Sequence, residues 1–469
     1  MTMTPHPIRR LAPAALATSA AAATLLAACG GGSDFAAPFV DSALMLPAAA
    51  APRFTEPPAG TSEYQRHLDT ATANAGTEFA GEQRRQWCYS VENPGAPPEL
   101  QNTTVVPMTR LFDNLYYAGR RWVGVFVLKT ANGYFLLDGQ NTLADAREIT
   151  VPGLVAMGID PATFKAGMPT HGHGDHYNGL KHMQDAYGGP VYIGSADAAA
   201  LSATNPRNAT AFAGSATNFI TTTALPTEVL TPQTITVDGQ ALTVLSTPGH
   251  TPGTVSGILP ARLGDRTYKL IYWGGTGTPT TLPLAKQYLD GAERTYQLAR
   301  SENVDGTIHT HPFVDGSLAK VDAIRAGATG GKNPFLIGNA STLRSLSVLR
   351  ECSAAKVNAL DATVVNPVWL TTTVDAVASS VSSSTGSNRN VSAKVRVNDP
   401  YGPVANAPVV LRLQGGTESC RATTDATGAA ACGFLTTAAT EGKALQISFE
   451  GVSSTAKLWL ASTASVTLN

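Results

Sequence analysis

Two periodicities divide the chain. Val123, Val125 and Val127 recur at period two, Asn132-Gly133 turns the chain, and Tyr134-Phe135-Leu136-Leu137 returns. This predicts a hairpin, because Asn-Gly accepts the positive φ of a tight turn. The returning strand runs into Asp138-Gly139, and Ala144–Met157 reads as a helix. Val191-Tyr192-Ile193 is a short buried strand, followed by a helical Ala196–Leu201. Ile235 and Val237, turned by Asp238-Gly239, pair with Leu242 and Val244, and Lys269–Trp273 is a further strand. Leu284–Ser301, Leu318–Ala326 and Leu343–Leu360 carry the helical period. Two rounds of strands and helices predict an α/β fold with sheets packed between helical layers, over residues 104–363. After Asn366-Pro367 the pattern changes to short alternating runs: Val391, Ala393, Val395 and Val397, then Val409, Leu411 and Leu413, then Gln446–Glu450 and Lys457–Leu460. Turns at Asp399–Gly402, Gly415-Gly416 and Asp425–Gly428 separate them, so residues 367–469 read as a small all-β sandwich. Residues 34–100 are rich in Ala, Pro, Thr and Gly and hold no sustained period, apart from a short helical stretch near Glu78–Trp87.

Composition narrows the function classes. Lys plus Arg total 33 and Asp plus Glu 34, a net charge of −1, which gives no general attraction to nucleic acid. With 14% charged and 43% hydrophobic residues, whole-chain disorder is excluded. Five cysteines in 469 residues exclude a disulfide-dense scaffold and a cysteine-rich zinc array. At the N-terminus, Arg9 and Arg10 precede an alanine-rich apolar run from Leu11 to Ala28. It ends in Leu26-Ala27-Ala28-Cys29, which resembles the lipobox of bacterial lipoproteins. Residues 1–29 are therefore expected to be a signal peptide, with Cys29 receiving the lipid. Gly30-Gly31-Gly32-Ser33 opens a tether and N-terminal extension over 30–103. A plain secretory signal cut nearby is the alternative. Either places the mature chain outside the cytoplasm, lipid-anchored at the outer membrane in the first reading, where disulfides persist.

The chemistry concentrates in Pro169-Thr170-His171-Gly172-His173-Gly174-Asp175-His176. In an extended segment His171 and His173 point the same way, while Asp175 and His176 face back from the turn into the next helix. Imidazole nitrogens and a carboxylate suit Zn²⁺. Two downstream segments also follow predicted strands: Thr247-Pro248-Gly249-His250-Thr251-Pro252-Gly253 and Ile308-His309-Thr310-His311-Pro312. Six of the nine histidines lie in these three segments; His182, on the following helix, is read as structural or exposed. The competing reading is an exposed histidine-rich loop that binds metal adventitiously.

The motif His-x-His-x-Asp-His resembles that of the metallo-β-lactamase superfamily. The resemblance covers residues 104–363 and implies an αββα sandwich with a two-zinc site at one edge. By motif position His171, His173 and His250 would hold one zinc, and Asp175, His176 and His311 the other. Asp138 would support the ligand loop, and His309 would lie behind His311 or in the pocket wall. Where many hydrolases of the superfamily place a bridging Asp, this chain reads Gly274-Gly275-Thr276-Gly277-Thr278, with neither acid nor cysteine. The third subclass of metallo-β-lactamases uses only His and Asp ligands, and resembles this chain at Tyr116-Tyr117-Ala118-Gly119, the loop around His250 and His311-Pro312. Thr276 and Thr278 would then offer hydroxyls to a substrate carboxylate. The implied reaction is zinc-dependent opening of an amide-like bond, the β-lactam ring first, with Asp175 orienting the attacking water and relaying a proton. The alternatives are a lactone or small-ester hydrolase of the same fold and a catalytically dead surface-adhesion lipoprotein, which would show a broken ligand set.

Asn406-Ala407-Pro408-Val409 and Thr424-Asp425-Ala426-Thr427-Gly428 resemble bacterial immunoglobulin-like domains of the invasin type. Cys420 and Cys432 lie six residues either side of Ala426 and are expected to form a disulfide across that hairpin. A second disulfide is expected between Cys88 and Cys352, against the alternative of reduced, buried thiols. The expected partners are a small-molecule substrate and, through the lipid, a membrane, with no nucleic acid and no obligate protein partner.

Overall fold

The computed structural model describes residues 53–79, 81–200, 222–383 and 387–468. The expected signal peptide, Cys29 and the glycine tether lie outside the described residues.

The first sheet runs β1 (Val105–Arg110), β2 (Leu115–Arg120), β3 (Gly124–Lys129), β4 (Tyr134–Leu137), β5 (Phe164–Met168), β6 (Val191–Gly194) and β7 (Thr222–Leu225), in that order. Strands β1 to β4 form an antiparallel meander, and β4 to β7 pair in parallel. Side chains alternate across a strand, so Val125, Val127 and Leu136 face one way and Phe126, Leu128 and Leu137 the other. Both sets are apolar because both faces are covered. The first packs on α3 (residues 143–156, with a π turn at Ala146–Thr150) and α4 (Gly174–Tyr187), through Leu154, Leu180 and Met183.

The second face meets a second sheet, ordered β12-β11-β10-β9-β8. Its strands are β8 (Gln233–Val237), β9 (Gln240–Ser246), β10 (Val255–Leu263), β11 (Arg266–Tyr272) and β12 (Gly306–Ile308). Only β11 and β12 are parallel; Asp238-Gly239 makes the tight turn between β8 and β9. Leu242, Val244, Leu259 and Leu270 fill the space between the sheets. Leu245, Ile258 and Ile271 point outward onto α6 (Leu282–Ser301) and α8 (Asn339–Leu360), after α5 (Ser195–Ala200) and with α7 (Ser317–Arg325) between them in the chain. The result is the αββα sandwich of the metallo-β-lactamase fold.

Two helices stand where the pattern gave only one short stretch: α1 (Glu63–Ala75) and α2 (Glu82–Glu92). Leu68, Ala71, Ala75, Trp87 and Cys88 are buried with Leu346, Leu349 and Cys352 of α8. Alanines at a helix contact allow close approach yet carry little hydrophobic signal, which is why this face was hard to see. Cys88 and Cys352 are joined, with Cα atoms 4.9 Å apart.

Beyond residue 366 the chain is β-rich, in three sheets around a core that includes Val391, Val395, Val409, Leu411, Ile447 and Phe449. Cys420 and Cys432 are joined here, but not across a hairpin ladder. Strand Ser419–Thr423 pairs with Pro408–Leu413, whereas Ala429–Thr436 pairs with Arg389–Asp399, so the disulfide links two sheets. The turn at Asp425 carries the chain from one sheet to the other instead of folding it back on itself.

The first strand of this region, Val368–Leu370, docks on the helices. Trp369 packs with Tyr296 of α6, and its backbone N–H donates to Glu351 Oε1 at 2.9 Å. Buried Glu351 also meets Arg350 Nη1 at 2.6 Å and His67 Nδ1 at 2.6 Å. Burial opposes its charge, but Arg350 and His67 hold its carboxyl below the usual range. The unfolded chain therefore takes up this proton at a higher pH than the folded one, and stability falls as pH drops through and below about 4.5. Glu351→Gln is expected to cost about 3–5 kcal/mol near neutrality, since it breaks the buried ion pair with Arg350, and to flatten the acid limb. Urea unfolding at a series of pH values measures both.

Candidate metal centre

Four strand ends converge at one edge of the sandwich. Just past β4, Asp138 adopts a φ of 63° and is fully buried. Its carboxylate accepts from Thr170 N and, at 2.6 Å, from His176 Nδ1. Past β5, His173 is the N-cap of α4, which puts Asp175 and His176 in that helix's first turn. His250 lies in the loop between β9 and β10, and His309 and His311 follow β12.

The six donors form two groups. His171 Nε2, His173 Nδ1 and His250 Nε2 stand 3.0–3.1 Å from one another. His176 Nε2 lies 3.2 Å from His311 Nε2, and Asp175 Oδ2 is 3.4 and 3.5 Å from those two nitrogens. The rings of His171 and His176 are 4.0 Å apart, so the groups adjoin.

The hydrogen bonds fix which nitrogen carries a lone pair. His250 Nδ1 donates to Gly277 O at 2.7 Å, His311 Nδ1 to Trp122 O at 2.6 Å, and His176 Nδ1 to Asp138. Thr170 Oγ1 donates to Asp138 and so accepts from His171 Nδ1 at 3.0 Å. In the neutral rings of His171, His250 and His311 the remaining Nε2 is an acceptor. The Nε2 acceptors of His171 and His250, 3.1 Å apart, repel unless a cation lies beside them. Three ligands of a tetrahedral zinc stand about 3.3–3.4 Å apart, from Zn–N of about 2.0–2.1 Å. The donor set therefore fits a divalent metal such as zinc.

Electrostatics follow the same division. Burial, with His173 alongside, pushes His250 down to about 3, and burial with His176 pushes His311 down to about 4. Burial also drives His171 well below its usual value. His176 goes the other way: burial opposes its charge, but Asp138 and Asp175 hold it up, at about 10. Asp175 lies well below the usual carboxylate range, since His176 and His311 outweigh the cost of burying it.

His309 stands outside both groups. Its Nδ1 accepts from His311 N at 2.9 Å, so Nε2 carries the proton and has no partner among the described residues. Trp87 of α2 meets it edge-on at 6.0 Å. Thr276 is half-buried in the loop after β11. Thr278 accepts from Ser90 Oγ at 3.0 Å and donates to Ser90 O at 3.3 Å. The glycines of this loop answer the missing bridging acid: a Cβ on Gly275 would lie 2.5 Å from His250 Cβ. His182 lies away from the six donors, half-buried against Tyr187.

The sequence pattern missed Asp197, on α5. This buried carboxylate accepts from Gly172 N at 2.8 Å, Thr251 Oγ1 at 2.6 Å and Gly253 N at 2.8 Å, which ties the His171 loop to the His250 loop. One acid in an alanine-rich helix is its only local signal. Ser90 and Trp122 were missed for a similar reason, because each acts from a distant segment.

Residues 123–262 match the family model described as the Metallo-beta-lactamase superfamily. Among solved structures, BJP-1, a subclass B3 metallo-β-lactamase of Bradyrhizobium japonicum, is 23% identical, and the match covers 53% of this chain and 91% of that one with a TM-score of 0.42. A variant of the metallo-β-lactamase FEZ-1 from Legionella gormanii is 18% identical over 56% of this chain and 96% of its own, with a TM-score of 0.44. No curated protein sequence matches this one.

Proposed function

We propose that this protein is a zinc-dependent hydrolase of amide-like bonds, with the β-lactam ring as its first substrate class. The observation that carries the reading is the two inward-facing donor groups, in which His171, His176, His250 and His311 have the outer ring nitrogen committed to a carboxylate, carbonyl or hydroxyl. His171, His173 and His250 would hold one ion, and Asp175, His176 and His311 a second. Zinc bound there supplies Lewis-acid chemistry and water activation, so no Ser or Cys nucleophile is needed.

The chain's own residues do the positioning. Asp138 aims His176, the Trp122 carbonyl aims His311, and the Gly277 carbonyl aims His250. Asp175, ionised at neutral pH and beside two imidazoles, would orient the attacking water and receive and pass on its proton. Thr276 would face the substrate carboxylate, with Thr278, already bonded to Ser90, at the loop's far end. On this reading residues 104–363 are the catalytic domain. Residues 1–29 direct export, Cys29 anchors the chain to the outer membrane, and residues 367–469 form an immunoglobulin-like sandwich.

The test is zinc analysis of the purified full chain together with a panel of chromogenic lactam, lactone and ester substrates. The expected result is about two zinc ions per chain and lactam opening that a chelator removes and zinc restores. Zinc-loaded protein that opens only esters or lactones would shift the substrate class. Protein that binds no zinc would refute the proposal.

A further inference from the structure

Ser90 of α2 lies outside the segment that matches the superfamily model, 188 residues before Thr278. It nevertheless grips Thr278 three ways. Its Oγ accepts from Thr278 N at 3.0 Å and donates to Thr278 Oγ1 at 3.0 Å, and Thr278 Oγ1 donates to Ser90 O at 3.3 Å. One residue earlier, Gly277 O receives the His250 Nδ1 proton at 2.7 Å. The loop between β11 and Thr278 holds three glycines and has no room for side chains against the imidazole: Cβ atoms on Gly275 and Gly277 would lie 2.5 and 3.2 Å from His250 atoms. Such a loop cannot be braced from inside. The Tyr288 hydroxyl, donating to Gly275 O at 2.9 Å, holds one end, and Ser90 holds the other. Helix α2 is itself fixed, since Cys88, two residues before Ser90, is joined to Cys352 of α8.

We propose that Ser90 is a positioning residue of the metal centre. By fixing Thr278 it fixes the Gly277 carbonyl, which sets the tautomer and ring direction of His250, with Nε2 toward His171 and His173. The inference rests on the reading of His171, His173 and His250 as a cation site. It makes the N-terminal extension a working part of that site. Outer partners that orient a metal-binding imidazole typically contribute 10- to 100-fold in affinity.

The experiment uses the full chain, stripped of metal, and the variants Ser90→Ala, Ser90→Thr, Thr278→Val and His250→Ala. Cobalt titration followed by its visible absorption, and zinc competition against a chelating dye, resolve the two binding steps. His250→Ala identifies the step that depends on the first group. Ser90→Ala is expected to weaken that same step by about 10- to 100-fold, with an altered cobalt spectrum and the other step unchanged. Ser90→Thr is expected to restore it. Should Ser90→Ala lose its fold, Thr278→Val carries the comparison, with a smaller loss at the same step. Unchanged binding in the folded variant, or equal weakening of both steps, would overturn the assignment of Ser90. If the wild type binds neither cobalt nor zinc, the metal-centre reading falls and this inference falls with it. If the wild type binds both ions and hydrolyses nothing, only the substrate reading fails, and the affinities still decide the role of Ser90.

Discussion

Asp175→Asn is expected to fold as the wild type does and to lose hydrolytic turnover by about 10²- to 10⁴-fold, the usual contribution of a positioned acid–base group. The fold should survive because the side chain is 22% exposed in the first turn of α4, and its recorded ion pairs are with His176 and His311. Asparagine keeps its volume but can neither carry the charge nor accept a proton. Asp175 is the only carboxylate among the six inward donors, and its neighbours hold it ionised at any working pH. The loss should fall on kcat, with metal content and melting temperature measured in the same preparation. Full turnover in a zinc-loaded Asp175→Asn protein would remove this residue from the reaction.

Asp197→Ala is expected to cost about 2–4 kcal/mol in stability and to weaken binding of the first cation by about 10- to 100-fold. Asp197 is 3% exposed, and its two oxygens take three donors from two different loops. Removing it leaves two backbone N–H groups and a hydroxyl buried without that acceptor, and lets His171 and His250 drift apart. The clasp is close-packed, since a Cβ on Gly172 or Gly253 would lie 3.2 or 2.5 Å from Asp197 atoms. Asp197→Asn, which keeps an acceptor oxygen, should fall between the two proteins. Urea unfolding gives the stability, and chelator competition gives the affinity. Unchanged affinity in Asp197→Ala would show that the two loops hold their geometry without this clasp.

Much of the fold was legible because periodicity and turn chemistry are local. The hairpin around Asn132-Gly133, the turn at Asp238-Gly239 and the long helices of the second half stand where the pattern puts them. Helices α1 and α2 were largely hidden, since their contact with α8 uses small side chains, and the Cys420–Cys432 link crosses between sheets that the pattern could not separate.

By itself the sequence determined the donor types: five imidazoles and a carboxylate, each just beyond a strand, because residue identity and strand ends are properties of a few neighbouring positions. Only the tertiary structure decided which nitrogen of each ring faces inward, that His311 rather than His309 completes the second group, and that Asp197 and Ser90 serve the centre at all. Those outcomes depend on hydrogen-bond partners brought together from distant parts of the chain, and a partner's direction exists only once the segments between them have packed.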